Sequence, residues 1–163
     1  MYNESSVEPF IIFRIAAYLF ALPIGDVLQV VNYPAQVSHE LSQLGMIQLG
    51  HHMIKVVDLH RFFNSEGFSQ VPGSQSFLVI TRDPQGEFCG IPVDEPPDLI
   101  EFSPEKLRSL SQDERQFGVA KLASHVIVLS WKEVSTTIFR LDLQRALITT
   151  STGSHFLPAK LPT

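Results

Sequence analysis

The sequence predicts a mainly β protein of two related units in tandem, small closed barrels packed together with short helices at the periphery. Three observations predict it. The first is a stretch that returns: Val57-Asp58-Leu59-His60-Arg61-Phe62-Phe63 reappears in pattern as Leu141-Asp142-Leu143-Gln144-Arg145-Ala146-Leu147, 142 − 58 = 84 residues later. Each copy reads as a buried strand closed by an Asp N-cap. The carboxylate accepts from the free N–H groups of the next turn and faces the positive end of its dipole. The second is a supporting pair. Leu22-Pro23-Ile24, with Leu28 and Val30 beyond, matches Ile91-Pro92-Val93, with Leu99 and Ile100 beyond. In each half the Pro-containing strand precedes the Asp-terminated one. The third is the rhythm of the whole chain: many short strands with turn signals between them, several apolar on both faces.

Taken in order, residues 1–9 are polar and expected to be a flexible N-terminus. Phe10–Ala16 and Tyr18–Ile24 follow as two strands, with Phe10, Ile12 and Arg14 alternating against Ile11, Phe13 and Ile15. Gly25-Asp26 turns the chain into a third strand, Leu28–Asn32, and Pro34–Ser42 is a polar connection. Met46–Leu49 and Met53–Val57 read as a hairpin around Gly50-His51-His52, because Gly supplies the positive φ such turns need. The stretch 64–75, NSEGFSQVPGSQ, is a linker between a first barrel at about 10–63 and a second at about 76–148, with strands free to exchange between them. Ser76–Arg82 and Glu87–Val93 flank Asp83-Pro84-Gln85-Gly86, a type I turn signature. Pro96-Pro97 imposes an extended path before Leu99–Phe102. Ser103-Pro104-Glu105 then predicts a capped polar helix to about Leu110. Gln112–Gln116 reads as a loop, Val119–Ser130 as one or two strands, and Thr136–Leu141 as the last strand. Asp142 starts the final helix, and 149–163 is expected to be a flexible tail.

Composition narrows the function. Hydrophobic residues at 44% and charged residues at 18% exclude a disordered chain, and 163 residues suffice for one ordinary domain or two very small ones sharing a core. Twelve Phe against one Trp suit packed sheet interiors. With 12 basic and 17 acidic side chains the net charge is −5, which makes nucleic acid and anionic membrane poor partners. Cys89 is alone, so no intrachain disulfide framework exists and a reducing compartment is the simpler reading. Phe10–Ile24 is apolar but too short to span a bilayer, and the leader MYNESSVEP lacks the basic residues of a signal peptide. A cytoplasmic location without membrane insertion is expected.

The segments FIIFRIAAYLFALPIGDVLQVV, LGMIQLGHHMIKVVDLHRFF, SFLVITRDPQGEFCGIPVDEPPDLIEFSPEKL and TTIFRLDLQRAL, in that order, resemble the CheW-like domain family, the coupling proteins of bacterial chemotaxis arrays. The similarity runs from about Phe10 to Leu147. It implies two five-stranded β-barrels on a shared hydrophobic core, no catalysis and no cofactor. It also implies a bridge between a CheA-type histidine kinase and the hairpin tip of methyl-accepting receptors. By this resemblance the receptor-facing groove includes Val27, Gln29 and Gly45, with the hairpin turn at Gln48 and Gly50. The kinase-facing surface falls around Gly86–Gly90 and Asp94–Asp98, which brings in Gly86, Gly90, Asp94 and Asp98. Two positions depart from the family pattern. Gln48-Leu49-Gly50-His51 stands where Asn-Leu-Arg-Gly is common, so the planar donor fork of Arg is missing, and neutral Gln29 replaces a frequent Glu. The departures point to a variant coupling protein, or to a regulator that binds the kinase without receptor.

Other chemistries have weaker support. Six His invite a metal reading, but no HxxxH or HxH pair exists, so solvated turn residues are the plainer expectation and no metal is assigned. Cys89 sits mid-strand with no adjacent positive charge and reads as an inert core residue. Asp94, Glu95, Asp98 and Glu101 could form an acid pair, though rim carboxylates around a Pro-Pro bend explain them as well. Trp131 and Phe68 are candidate exposed aromatics at a partner contact, with burial the alternative. A small β-barrel enzyme would need a converging polar constellation, and the sequence offers none.

Overall fold

The computed structural model describes residues 6–34, 45–63 and 75–155. All of the expected connection Pro34–Ser42 beyond Pro34, and nearly all of the linker at 64–75, with Phe68, lie outside the described residues. The chain is mainly β, as the sequence predicts. Among the described residues eleven strands form two sheets: β1 (Glu8–Ile15), β2 (Tyr18–Pro23), β3 (Val27–Pro34), β4 (Met46–Leu49), β5 (His52–Val56), β6 (Gln75–Arg82), β7 (Phe88–Val93), β8 (Asp98–Phe102), β9 (Arg108–Ser109), β10 (Ala123–Trp131) and β11 (Val134–Leu141). A final helix, α1, spans Leu143–His155.

The repeat governs how the strands are shared. One sheet runs β8-β1-β2-β11-β10-β9 and the other β3-β6-β7-β5-β4. Each is built on a hairpin carrying the Pro motif, β1–β2 or β6–β7. On one side that hairpin meets an antiparallel strand, and on the other a parallel, Asp-terminated strand donated by the other repeat. The registers agree between the sheets. Lys55 lies opposite Cys89 and Val56 opposite Gly90, while Phe139 lies opposite Phe20 and Arg140 opposite Ala21. All eight residues of these pairs are therefore equivalent, one sheet to the other, in the Asp58/Asp142 and Pro23/Pro92 alignments. The two units exchange strands reciprocally, and each sheet contains strands from before and after the 64–75 segment.

This exchange buries both faces of the central hairpins. Ile11, Phe13, Ile15, Phe20 and Leu22 from one sheet meet Val79, Cys89, Ile91 and Val93 from the other in a shared core, closed by Val57, Leu59, Leu122, Leu141 and Ala146. The opposite face of β1–β2 carries Phe10, Ile12, Leu19 and Ala21, which pack with Phe102, Ile127 and Ile138 inside the six-stranded sheet. Phe10 stacks on Phe102 at 4.2 Å. The inner cluster of the five-stranded sheet is smaller: Ile54, Leu78 and Ile80, with Val31, Ile47, Leu49 and Phe88 partly buried around it. Because Val31 on one edge strand and Ile47 and Leu49 on the other reach the same cluster, that sheet must curl.

The Asp caps form as expected. Asp58 Oδ1 accepts from the His60 N–H at 3.1 Å before a 3-10 helix at Leu59–Phe63, and Asp142 Oδ1 accepts from the Arg145 N–H at 3.2 Å at the start of α1. Several local expectations change. The β4–β5 turn is only Gly50-His51, with His52 already in the strand. The capped helix from Ser103 shrinks to a 3-10 turn, Pro104–Lys106, and Ser103 makes no side-chain cap bond. Leu107 is drawn into the inner core and Arg108–Ser109 pairs with β10, giving this sheet a sixth strand. Gln112–Gln116 contains a further 3-10 turn, where Ser111 and Glu114 bond each other's N–H groups at 3.1 and 2.8 Å. That reciprocal S-x-x-E capping box was readable in the sequence. Gly118–Leu122 is 3-10 rather than strand. α1 continues to His155, past the point where the tail was expected to begin.

The close packing of the hairpin cores is testable at Gly90. A Cβ there would meet the Leu78 side chain at 2.9 Å, whereas the equivalent residue in the other sheet, Ala21, already carries one. Gly90→Ala is expected to destabilise the protein by about 1–3 kcal/mol through overpacking. In urea unfolding, the cost in a Leu78→Ala background should be smaller than in the native background.

Candidate partner-binding surface

A groove of about 650 Å³ opens where β2 passes into β3. One wall is Leu22, Gly25, Asp26 and Leu28 with the Arg82–Pro84 turn. The other is Ser124, His125, Arg140 and the Asp142–Gln144 start of α1. Local sequence shapes the first wall. Pro23 ends β2, a 3-10 turn follows at Ile24–Asp26, and Thr81 Oγ1 donates to the Asp26 carbonyl at 2.6 Å. The ladder then breaks: Val27 pairs with Thr81 and Gln29 with Ile80, so Leu28 bulges outward and is 48% exposed. Val27 is half-buried against the shared core, and Gln29 is exposed. On the second wall Arg115 holds Asp142 at 2.6 Å. Burial lowers the pKa of His125, and the nearby charges of Arg140 and Arg115 lower it further.

The remaining candidates fall elsewhere. Gly45, Gln48 and Gly50 lie on the β4–β5 hairpin, at the opposite edge of the five-stranded sheet from β3. Gly45 and Gly50 have φ of +74° and +62°, which L side chains adopt with strain, and Gln48 Nε2 donates to the Gly50 carbonyl at 3.3 Å. Gly86, with φ of +87°, closes the β6–β7 turn by donating its N–H to the Asp83 carbonyl at 2.9 Å. Gly90 is buried beneath Leu78, so it serves packing and presents nothing to a partner. Asp94 and Asp98 are exposed on the connection from β7 to β8, and Lys132 Nζ reaches Asp98 at 3.8 Å.

Sequence reasoning missed His60. It is not a solvated turn residue: it is 3% exposed, with Nδ1 at 3.4 Å from Asp58 and Nε2 at 3.3 Å from Asp94. Burial by itself would lower its pKa. The hydrogen bonds and charges of Asp58 and Asp94 outweigh burial and raise it to about 9. The imidazolium therefore ties the 3-10 helix after β5 to the exposed Asp94 loop. The repeated Asp58 was the available signal, but no local pattern pointed to Asp94. Trp131 is half-buried against the inner core of the six-stranded sheet, with Lys132 Nζ 4.7 Å from its ring centre. Cys89 is fully buried, and burial together with the Asp83 charge pushes its thiol up to about 11, as an inert core residue requires.

A family model described as CheW-like domain matches residues 9–147. The chain belongs to the CheW-like domain family. Among solved structures it is similar to the scaffolding protein TtCheW from Thermoanaerobacter tengcongensis, with a TM-score of 0.61 and 19% identity, covering 85% of this chain and 92% of that one. That likeness shows the fold. A search of curated proteins found no match. CheW-like domains are non-catalytic adaptor modules, so the surfaces of this chain, rather than any reactive atom, are its functional parts. No helix among the described residues is long and apolar enough to cross a membrane.

The His60 bridge of this CheW-like domain predicts a pH dependence. Its pKa is raised on folding from 6.5 to about 9, so its stabilising contribution is complete below about pH 6.5 and is lost as pH rises through about 9. Unfolding free energy should fall by on the order of 1–3 kcal/mol across that window. His60→Gln should be less stable at pH 6 and should flatten the profile, as read by urea unfolding at a series of pH values.

Proposed function

We propose that this protein is a non-catalytic coupling protein of a chemotaxis-like two-component system, linking a CheA-type histidine kinase to methyl-accepting receptors in the cytoplasm. The family match over residues 9–147 carries this reading. The groove beside the β3 bulge supports it, since it offers exposed Leu28 between walls supplied by both sheets. An adaptor needs surfaces that two partners can occupy at once. The groove and the Asp94–Asp98 connection are separate, and the second carries the carboxylates Asp94, Glu95 and Asp98. Single contacts of this size are expected to be weak, with array avidity adding the rest.

A second reading keeps the kinase and drops the receptor. It is favoured by the Gly50-His51 turn, where the donor fork of Arg is absent. Binding measured separately with kinase and receptor fragments discriminates: the coupling reading requires both, and the regulator reading requires the kinase alone. Loss of both sinks the adaptor assignment.

Val27 packs partly against the core, which makes exposed Leu28 the cleaner probe of the groove. Leu28→Ser is expected to weaken receptor-fragment binding about five- to tenfold, a loss of about 1–1.4 kcal/mol. The melting temperature should change little, because the side chain is 48% exposed and packs into none of the cores. Equal affinity in the variant would remove the groove from the receptor surface.

A further inference from the structure

The register of β11 sets Arg140 between two neighbours that offer it no counter-charge. It lies opposite His125 on β10 and opposite Ala21 on β2. Arg140 lines the groove beside the β3 bulge and is half-buried there. The carboxylates of the same groove are committed elsewhere or stand apart. Asp142 is held by Arg115 at 2.6 Å, while Asp83 accepts from its own turn and faces Lys55 at 3.8 Å. Asp26 lies on the opposite wall and, among the described residues, forms no ion pair with Arg140. Arg82, also in the groove, is occupied by the Gly86 carbonyl at 3.1 Å and the Phe88 ring at 4.7 Å. Arg140 itself makes no hydrogen bond or ion pair among the described residues. The fold does not require its charge. The equivalent residue of the other repeat is Val56, so an apolar side chain fits the same register. Withdrawing a guanidinium from water without a partner is costly, which makes a half-buried, unpaired Arg a poor choice for stability alone. The field at this wall is positive as well. Burial lowers the pKa of His125, and the charges of Arg140 and Arg115 lower it further against the opposing pull of Asp142.

We propose that Arg140 selects the receptor segment that enters the groove, by pairing with an Asp or Glu carboxylate which that segment carries among apolar residues. This role rests on the reading of the groove as a receptor surface, and adds the chemistry by which that surface chooses. Leu28 supplies an apolar contact from the opposite wall. The planar fork of Arg engages a carboxylate through two parallel N–H donors, a geometry that Lys does not reproduce. With the whole chain at −5, the pair acts at short range, choosing between docked segments rather than steering them from afar.

The test uses the full chain and the cytoplasmic hairpin fragment of a methyl-accepting receptor. Arg140→Gln should weaken binding of the fragment about tenfold, and Arg140→Lys should recover only part of that loss. Urea unfolding of both variants should match the unaltered chain, as the Val56 equivalence implies. On the fragment, each Asp and Glu is changed to its amide in turn and measured against the unaltered chain, which removes any dependence on a variant's folding. One such change should cost the same factor as Arg140→Gln and should cost nothing further in the Arg140→Gln chain. The imidazole resonance of His125 gives a second readout. Its pKa should rise in free Arg140→Gln, and should be higher in the complex with the carboxylate fragment than in the complex with the amide fragment. If the fragment binds but neither Arg140→Gln nor any amide change alters its affinity, the carboxylate pairing is overturned while the receptor reading stands. If the fragment does not bind the unaltered chain, both fall. Self-association of the chain that Arg140→Gln abolishes would assign the groove to a second copy and overturn the proposal as well.

Discussion

The reciprocal exchange of strands is the constraint on which the rest of the structure depends. Neither repeat closes alone, because each Pro-bearing hairpin takes its parallel neighbour from the other unit. Both faces of β1–β2 and β6–β7 are consequently buried, one in the shared core and one inside its own sheet. Burying apolar side chains on both faces gives each hairpin roughly twice the contact that a one-faced sheet would have. Register is fixed in the same act, since a slip of one residue would exchange the two cores' side chains. The two sheets therefore cannot be treated as independent domains joined by a linker.

That arrangement confines function to rims and edges. Reactive groups sit where packing has neutralised them: Cys89 at the centre of the shared core, and Asp83 spent on the backbone N–H groups of its own turn. Among the described residues, what stays accessible is the bulge at Leu28, the wall of α1 and β10–β11 across from it, and the carboxylate-bearing connection after β7. These features suit an adaptor, which needs a rigid frame with several distinct surfaces rather than a pocket that converges on a reacting atom.

The buried polar groups show how the frame controls one of those surfaces. His60 is held between Asp58, which also caps the 3-10 turn that Leu59 begins, and Asp94, which leads the exposed connection. A charge placed this deep is tolerated because two carboxylates face it. The sister position, Gln144, lies at the groove instead, and there Asp142 is engaged by Arg115. The same motif has thus been put to two different uses in the two halves.

The sequence by itself determined the strand-rich class, most strand positions, both Asp caps, the turn at Asp83–Gly86 and the duplication. Each of these is written in contiguous residues: alternation or runs of apolar side chains, a capping carboxylate, a Pro and a Gly at fixed offsets. It did not give the length of α1 or the replacement of a capped helix after Ser103 by a 3-10 turn and β9, because tertiary packing of Leu107 and pairing with β10 override local propensity. Nor did it show that Gly90 is a packing position, that His60 is buried, or that Val27 leans on the core while Leu28 bulges out. Those facts depend on which distant strand lies opposite, so only the tertiary structure could decide them. The repeat announces that there are two similar halves, whereas the exchange between them is a property of long-range pairing that no local stretch encodes.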